Sequence, residues 1–462
     1  MNERPKDGLW VPERRGLTIG LVLTITFIAS EALAVVTVMP VVARDLGGLS
    51  LYGWVFSAFM LGSLIGIVVA GRDADRHGPA RPYVIGLICF AAGLVVAGTA
   101  PTMAVLVLGR TLQGFGAGAV PAVAYVAIGR SLPEGLRPRM MAVLSTAWVI
   151  PGILGPALAA VVAHLFGWRW VFLGLLPLVA VAGPLALPAL MKLGRPDQRS
   201  AGEHRVRDGI RTATGAALIL AALSQHQIWS ALVLAAAAAL VGLPSLRRLL
   251  PSGTLSARPG LATTILSRGL LTFAFFGADA YVTLSITTVR HHSTLVAGAV
   301  VTASTLAWTA GAWVQAHLNA RLEGRRLVRS GLVAILVGIG GMEAYLRPGV
   351  PLAVAFAAWI AAGLGMGLSY APISLMMLRV APAGREGWAS ASLNLADVLG
   401  TALGVGVGGA AVAVMTRSGH RVSAGVALAF AAAALAGILA VVLTPRLPRT
   451  LGVGAPQPSP AP

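Results

Sequence analysis

Four acidic residues fall inside long apolar runs of the chain: Glu31, Asp279, Glu343 and Asp397. Arg110 is the one base in the same position. A charge at the centre of a bilayer costs at least ~2.5 kcal/mol on insertion scales. Such residues therefore face a cavity or a partner. At about 1.5 Å per helical residue, Glu31 lies roughly 18 Å, Asp279 roughly 15 Å and Asp397 roughly 13 Å from the nearer end of its run. Glu343 is close to the end of its run and reaches water. Arg110 lies roughly 12 Å deep, within a side chain's reach of Glu31 in depth. Burial disfavours a carboxylate's charge and a neighbouring arginine favours it. A conformational change that alters either balance turns the group into a proton carrier. The other reading of each acid is a permanent ion pair that locks helix packing, and spacing alone does not choose between the two.

The elements that must hold these charges are helices. The chain has 462 residues, 56% hydrophobic and only 11% charged, where a soluble protein carries roughly 25% charged residues. Apolar runs recur near 17–43, 52–71, 83–100, 102–129, 140–166 and 168–191, then 209–225 and 228–246, then 269–289, 294–318, 327–346, 351–378, 388–415 and 422–444. Runs of about 18 residues or more cross a hydrocarbon core as helices. The expected fold is an all-α polytopic membrane protein of 14 spans. It has a cytoplasmic N-terminus (1–16), a six-helix half (17–191), a linker with an inserted two-helix hairpin (192–261), a second six-helix half (262–444) and a disordered tail (445–462). The middle pair is short and starts amid arginines; without it the count is 12.

The net charge of +19 sits in short loops, with no long basic patch interleaved with aromatics, so a nucleic-acid partner is not expected. With the N-terminus in the cytoplasm, 28 of the 35 Lys and Arg fall in cytoplasmic segments. Six lie outside, namely Arg44, Arg169, Arg290, Arg347, Arg417 and Arg421, and Arg110 lies within a span. The positive-inside rule then places both termini in the cytoplasm, and the expected membrane is a bacterial-type inner membrane. One cysteine, Cys89, leaves no disulfide framework. His291 and His292 without further ligands make no metal site. No G-x-x-x-x-G-K-[ST] occurs, so ATP is not the energy source, and no catalytic constellation points to an enzyme. An internal repeat pairs GFGAG at 114–118 with GLGMG at 363–367, and Arg130, Pro133 and Gly135 with Arg379, Pro382 and Gly384. Parallel repeats of six helices are a transporter architecture with the site between the halves.

Several motifs carry a family resemblance. Gly71–Arg72–Asp73–Ala74–Asp75–Arg76–His77–Gly78 resembles the G-x-x-x-D-R-x-G signature of the major facilitator superfamily. Arg110–Thr111–Leu112–Gln113–Gly114 is similar to its R-x-x-Q-G motif, and Pro151–Gly152–Ile153–Leu154–Gly155–Pro156 to the antiporter motif of its fifth span. Glu31 to Pro40 and Trp168–Arg169–Trp170–Val171–Phe172–Leu173 resemble stretches of the drug:proton antiporters with 14 spans. The resemblance runs from about residue 17 to 444. There are departures: Pro79 and Ala80 replace a basic pair, Ala159–Ala160 replace glycines, Glu31 replaces an Asp, and Val35–Val36 lacks an Asn.

The resemblance implies a proton-coupled efflux transporter of hydrophobic or amphipathic small molecules, with no cofactor but the proton. Glu31, Arg110, Asp279 and Asp397 are the proton-coupling candidates. Gly71, Asp75, Arg76 and Gly78 are the gating motif, in which Asp75 meets the helix that starts after Arg385. The glycines are expected to serve tight turns and close helix approach. Pro151, Gly152, Gly155 and Pro156 form the antiporter motif, whose small residues equally suit plain helix packing. Trp148, Phe275, Phe276, Trp308 and Trp313 are expected to line the cavity, though aromatics at helical spacing equally serve packing. The partners are a small molecule and the bilayer, with monomer as the expected state. An exporter of one lipid or metabolite, and a non-transporting receptor or scaffold, remain as alternatives.

Overall fold

In hydrocarbon every backbone N–H and C=O must be satisfied within its own segment, and the apolar runs accordingly form helices. The structure, a computed structural model, describes residues 8–132, 136, 140, 143–144, 147, 149–194, 203–225, 227–318, 322–382 and 385–449. Trp148, Pro133, Gly135 and Gly384 lie outside the described residues. The first half comprises α1 (Pro12–Leu46), α2 (Tyr52–His77), α3 (Ala80–Gly98), α4 (Met103–Ser131), α5 (Val149–Phe166), and the short α6 (Arg169–Leu173) that runs on into α7 (Leu176–Lys192). Helices α8 (Glu203–Leu223) and α9 (Ile228–Leu249) follow. The second half comprises α10 (Leu261–Leu284), α11 (Thr294–Leu318), α12 (Gly324–Tyr345), α13 (Leu352–Val380), α14 (Glu386–Arg417) and α15 (Val422–Leu443).

Among the described residues, 12 helices are long and apolar enough to cross a membrane. They are not the six-plus-six of the two halves, because α9 is among them while α5 and α8 are not. The expected run at 140–166 is partly outside the described residues. The expected run at 209–225 belongs to a helix that begins six residues earlier with Glu203, His204, Arg205, Arg207 and Asp208. Helices α8 and α9 pack directly: a Cβ on Gly215 would stand 2.5 Å from the Cα of Gly242. Asp208 accepts from Ser245 Oγ and pairs with Arg248 Nη2, each at 3.1 Å.

The internal repeat is present as equivalent packing. On α4, a Cβ at Gly114 or Gly118 would run into the carbonyls of Phe59 and Ser63 on α2, and one at Gly116 into that of Gly86 on α3. On α13, Gly363 and Gly367 sit in the same way against Ser304 and Trp308 on α11, and Gly365 against Gly331 on α12. Small residues that let backbones touch are the usual source of helix association in lipid, where apolar burial supplies little. The repeated G-x-G-x-G is therefore the device by which each half draws its fourth helix between two neighbours.

Between the halves, the face opposite to the start of α1 is closed. There Tyr52 Oη donates to the Ala280 carbonyl at 3.0 Å, Ser57 Oγ to that of Ala402 at 2.8 Å, and Thr283 Oγ1 to that of Val36 at 2.8 Å. A Cβ on Gly53 would stand 2.6 Å from the Cα of Gly409. On the other flank of this seam α5 meets α11, with Gly152 against Thr305 and Gly298 against the Pro156 carbonyl. Helix α8 lies over the α2–α14 flank, with Gly209 against Val68, Leu220 against Gly406, and the Ser224 carbonyl accepting from Arg417 Nη1 at 3.0 Å.

The glycines of α2 differ in what they are for. A Cβ at Gly66 would run into the Phe115 carbonyl, whereas one at Gly71 meets nothing within 4 Å. Overpacking of this kind costs typically about 1–3 kcal/mol, while Ala improves an unencumbered helix position by roughly 0.5–1 kcal/mol. Gly66→Ala is expected to lower the midpoint of thermal unfolding of the purified protein by several degrees, and Gly71→Ala to leave it equal or higher. Equal midpoints for Gly66→Ala and wild type would contradict the close α2–α4 packing.

Candidate functional site

Glu31 on α1 and Arg110 on α4 are both buried, and the glycine contacts explain how they meet. Thr102 caps α4, its hydroxyl accepting from the Val105 N–H at 3.4 Å. The pressed α2–α4 pair then sets the guanidinium of Arg110 4.2 Å from the ring centroid of Phe59. Its Nε donates to the Val55 carbonyl at 3.2 Å. Its Nη1 donates to Gln113 Oε1 at 3.1 Å and to Glu31 Oε1. Depth places Arg110 within reach of Glu31, and the structure joins the two as a buried ion pair. Gln113 was not among the candidate residues, although it is part of the R-x-x-Q-G stretch. Glu31 Oε2 and Gln113 Nε2 are buried with no hydrogen-bond partner, so one carboxylate oxygen is left to take a proton or a donor.

The other acids occupy the second half. Asp279 on α10 is buried and accepts from Trp359 Nε1 on α13 at 2.8 Å. Trp359 stacks on Phe275 at 5.6 Å between centroids. Phe275 in turn meets Phe276 at 5.2 Å and Trp308 at 5.7 Å, and Trp308 meets Tyr370 at 5.7 Å. Tyr370 Oη donates to Asp397 Oδ2 at 3.1 Å. A continuous aromatic chain therefore links Asp279 to Asp397, and Phe275, Phe276 and Trp308 are members of it. Glu343 is exposed.

The structure corrects three expectations. Arg110 is not the one buried base. Arg268, just before the expected run at 269–289 and counted among the bases of the cytoplasmic segments, lies inside α10 and is 2% exposed. Moving it out of the loops changes the expected count of bases on the N-terminal side from 28 to 27, against 6 on the other. A span drawn to start at the first uncharged stretch misses a base whose charge is answered within the bundle. Trp313 does not line the interior: it is 68% exposed, on an outward stripe of α11 with Leu306, Ala310, Val314 and His317. It stands about 140° around the helix from Trp308. Gly71 serves neither a turn nor a close approach, whereas Gly78 takes φ +84° where α2 turns into α3.

Around the gating motif, Asp73 accepts from or pairs with His77 Nδ1 at 2.7 Å and Arg81 Nε at 3.6 Å. Asp75 is half-buried and Arg76 exposed. Asp73, Arg76, His77 and Arg81 border an open groove of about 320 Å³, with Ile85, Phe115 and Val206 on its apolar side. The antiporter motif lies where the halves meet. Pro151, Gly152, Gly155 and Pro156 are buried. Gly155 faces Leu33 and the Ser30 carbonyl, either side of Glu31 on α1, while Gly152 and Pro156 face α11. The W-R-W stretch ties down the far face: Trp168 Nε1 and Arg169 Nη1 donate to Asp45 Oδ2 at 2.8 and 3.2 Å. The four proton-coupling candidates thus fall into two clusters, one in each half. Among the described residues no group of three or more His, Cys, Asp or Glu could hold a metal ion.

Comparison with known proteins agrees with this geometry. The family model of the Major Facilitator Superfamily matches residues 19–405. A relative 29% identical over 448 residues, covering 92% of this chain and 93% of its own length, carries the name "Probable multidrug-efflux transporter Rv1634" in Mycobacterium tuberculosis (strain ATCC 25618 / H37Rv). Two solved structures share the fold. An auto-inhibited peptide transporter of the POT family is similar at TM-score 0.66 and 17% identity, over 95% of this chain and 99% of that one. The xylose transporter XylE of E. coli, in a partially occluded inward-open conformation, is similar at TM-score 0.62 and 15% identity, over 96% and 99%. With its helices, its repeated packing and a family model spanning most of its length, the chain belongs to the Major Facilitator Superfamily, whose members are transporters and not enzymes.

Proposed function

We propose that this transporter exports hydrophobic or amphipathic small molecules in exchange for protons. The observation that carries the reading is the Glu31–Arg110 pair: a buried carboxylate with one oxygen engaged and the other unpartnered. It is set on the helix that the antiporter-motif segment crosses on its way to the second half. The name of the 29% identical relative supports multidrug efflux. Removing one partner of a buried pair is strongly unfavourable, about 3–5 kcal/mol. Protonation of Glu31 leaves Arg110 in that position. A state change that re-pairs Arg110, or admits water to it, therefore carries a different proton affinity, and only such a difference can drive the exchange. Asp279 and Asp397 are the second acids in this scheme.

The proposal includes 14 spans, with α5 and α8 crossing alongside the 12 apolar helices, and α8–α9 inserted between halves at 17–191 and 262–444. The face at which α1 starts is cytoplasmic, as the 27-to-6 distribution of bases favours, and the membrane is a bacterial inner membrane. Asp75 holds the halves together when the cytoplasmic side closes, at the N-terminal end of α14 where a helix favours an anion. The protein acts as a monomer.

Flux in inverted vesicles under an imposed pH gradient tests the coupling, with lipophilic cations and neutral drugs as substrates. Glu31→Gln is expected to lose at least about tenfold in proton-driven flux while retaining equilibrium binding; unchanged flux would make the pair a structural lock. Arg110→Leu, which strands the carboxylate, is expected to be destabilised by about 3–5 kcal/mol, read as a lowered unfolding midpoint. Flux for one lipid or metabolite alone would favour a narrow exporter, and none for any compound a receptor or scaffold. In a Cys89→Ser background, cross-linking Ser57→Cys to Ala402→Cys should stop flux, and reduction should restore it. Flux that persists in the cross-linked protein would show that this face need not open.

A further inference from the structure

The groove of about 320 Å³ beside the gating motif shares no lining residue with either charged cluster. Four helices wall it: α2, α3, α4 and, through Val206, the inserted α8. Its chemistry changes along its length. On α2 the lining runs from Val69 through Arg72 and Asp73 to Arg76 and His77, so one helical face passes from apolar to charged over about 12 Å. On α3 it runs the other way, from Arg81 in the first turn to Ile85 about 6 Å deeper. Phe115 of α4 stands at the apolar end, level with Gly66 of α2. The charged end therefore lies at the α2–α3 turn, and the apolar end lies within the spanning part of the bundle. Ile85 also begins an exposed apolar stripe on α3 that continues through Ile88 and Val95.

Charge balance decides what the groove takes. Three arginines line its charged end against one carboxylate. That carboxylate, Asp73, is engaged by His77 Nδ1 at 2.7 Å and stands 3.6 Å from Arg81 Nε. Bases stay in excess even when Asp75, which does not line the groove, is counted. Arg76 is exposed and Arg81 is 57% exposed, so both guanidinium groups are free to turn toward a ligand. Their planar forks match phosphate oxygens, and basic pockets between membrane helices suit anionic head groups. A free phosphate gains nothing from the apolar end. A zwitterionic head brings an ammonium up to surplus bases, which repel it. An anion joined to an apolar chain uses both ends at once, and the space, about that of ten waters, admits a phosphate and the first carbons of the chain. We propose that this groove binds one anionic phospholipid, its phosphate held by Arg76 and Arg81 and its chain entering past Ile85, Phe115 and Val206. Because Val206 belongs to α8, the bound lipid touches both the first half and the inserted pair.

The test is native mass spectrometry of the full-length protein in a nonionic detergent, with no gradient, so that it stands or falls apart from proton coupling. The protein is titrated with dioleoyl phosphatidylglycerol or dioleoyl phosphatidylethanolamine, and the affinity of the first lipid bound is read. The wild type is expected to bind phosphatidylglycerol about tenfold more tightly, and inorganic phosphate at about 10 mM to change that affinity by less than about twofold. Arg76→Gln and Arg81→Gln should each weaken phosphatidylglycerol by about fivefold, the loss expected for one base at a membrane surface. Phosphatidylethanolamine binding should be kept in both, as the sign of an intact apolar wall. Arg247→Gln removes an exposed base in the last turn of α9, at the same face but outside the groove, and should change neither lipid. Equal affinity for the two lipids, or preference for phosphatidylethanolamine, would overturn the proposal. Displacement by inorganic phosphate would make this a site for the free anion instead, and equal weakening by Arg247→Gln would reduce it to general attraction to a basic face.

Discussion

A guanidinium inside a helical bundle must be answered on several edges at once, because water is not there to do it. Arg110 is answered by a carboxylate from α1, a backbone carbonyl and an aromatic ring from α2, and an amide from its own helix. Three helices are thereby fixed in rotation and depth relative to one another. None can turn by even a fraction of its pitch without leaving a charge unpaired in a medium where that is strongly unfavourable. The antiporter-motif helix packs on the residues flanking Glu31, so its placement against the second half depends on the same interaction.

What allows the helices close enough for this is the absence of side chains. The glycine carbonyl contacts of α4 recur on α13 with the same neighbours in the same order. The two halves thus share one packing plan but use it for different ends. In the first half it yields a satisfied buried ion pair; in the second it yields an aromatic chain with a half-satisfied charge pair at one end. A duplicated scaffold has kept its backbone geometry while its polar content has diverged.

Much of this was legible in the sequence, and the rest was hidden for identifiable reasons. Helices and repeat follow from apolar run length and the 249-residue offset of the G-x-G-x-G stretches, while depth brings Arg110 within reach of Glu31 without showing that they adjoin. Arg268 was hidden because a base next to an apolar run reads as a loop residue unless its partner is known, and Asp397 lies more than a hundred residues away. Trp313 was misplaced although helical geometry alone separates it from Trp308, since residues five apart do not share a face. The stretch after Glu203 was hard to read because its charges are met in part by α9, through Asp208 with Ser245 and Arg248, and not by water.

Helix α8 carries one more implication. It covers the flank of the seam between α2 and α14, touching both. Among the described residues no comparable helix covers the opposite flank, between α5 and α11, and Leu154, Leu158 and Leu165 of α5 are exposed. Among the described residues the two flanks are therefore unequal in the plane of the membrane: a solute dissolved among the lipid tails meets one with an added helix and one without. The less covered side is the one formed by the helix that also touches the residues flanking Glu31.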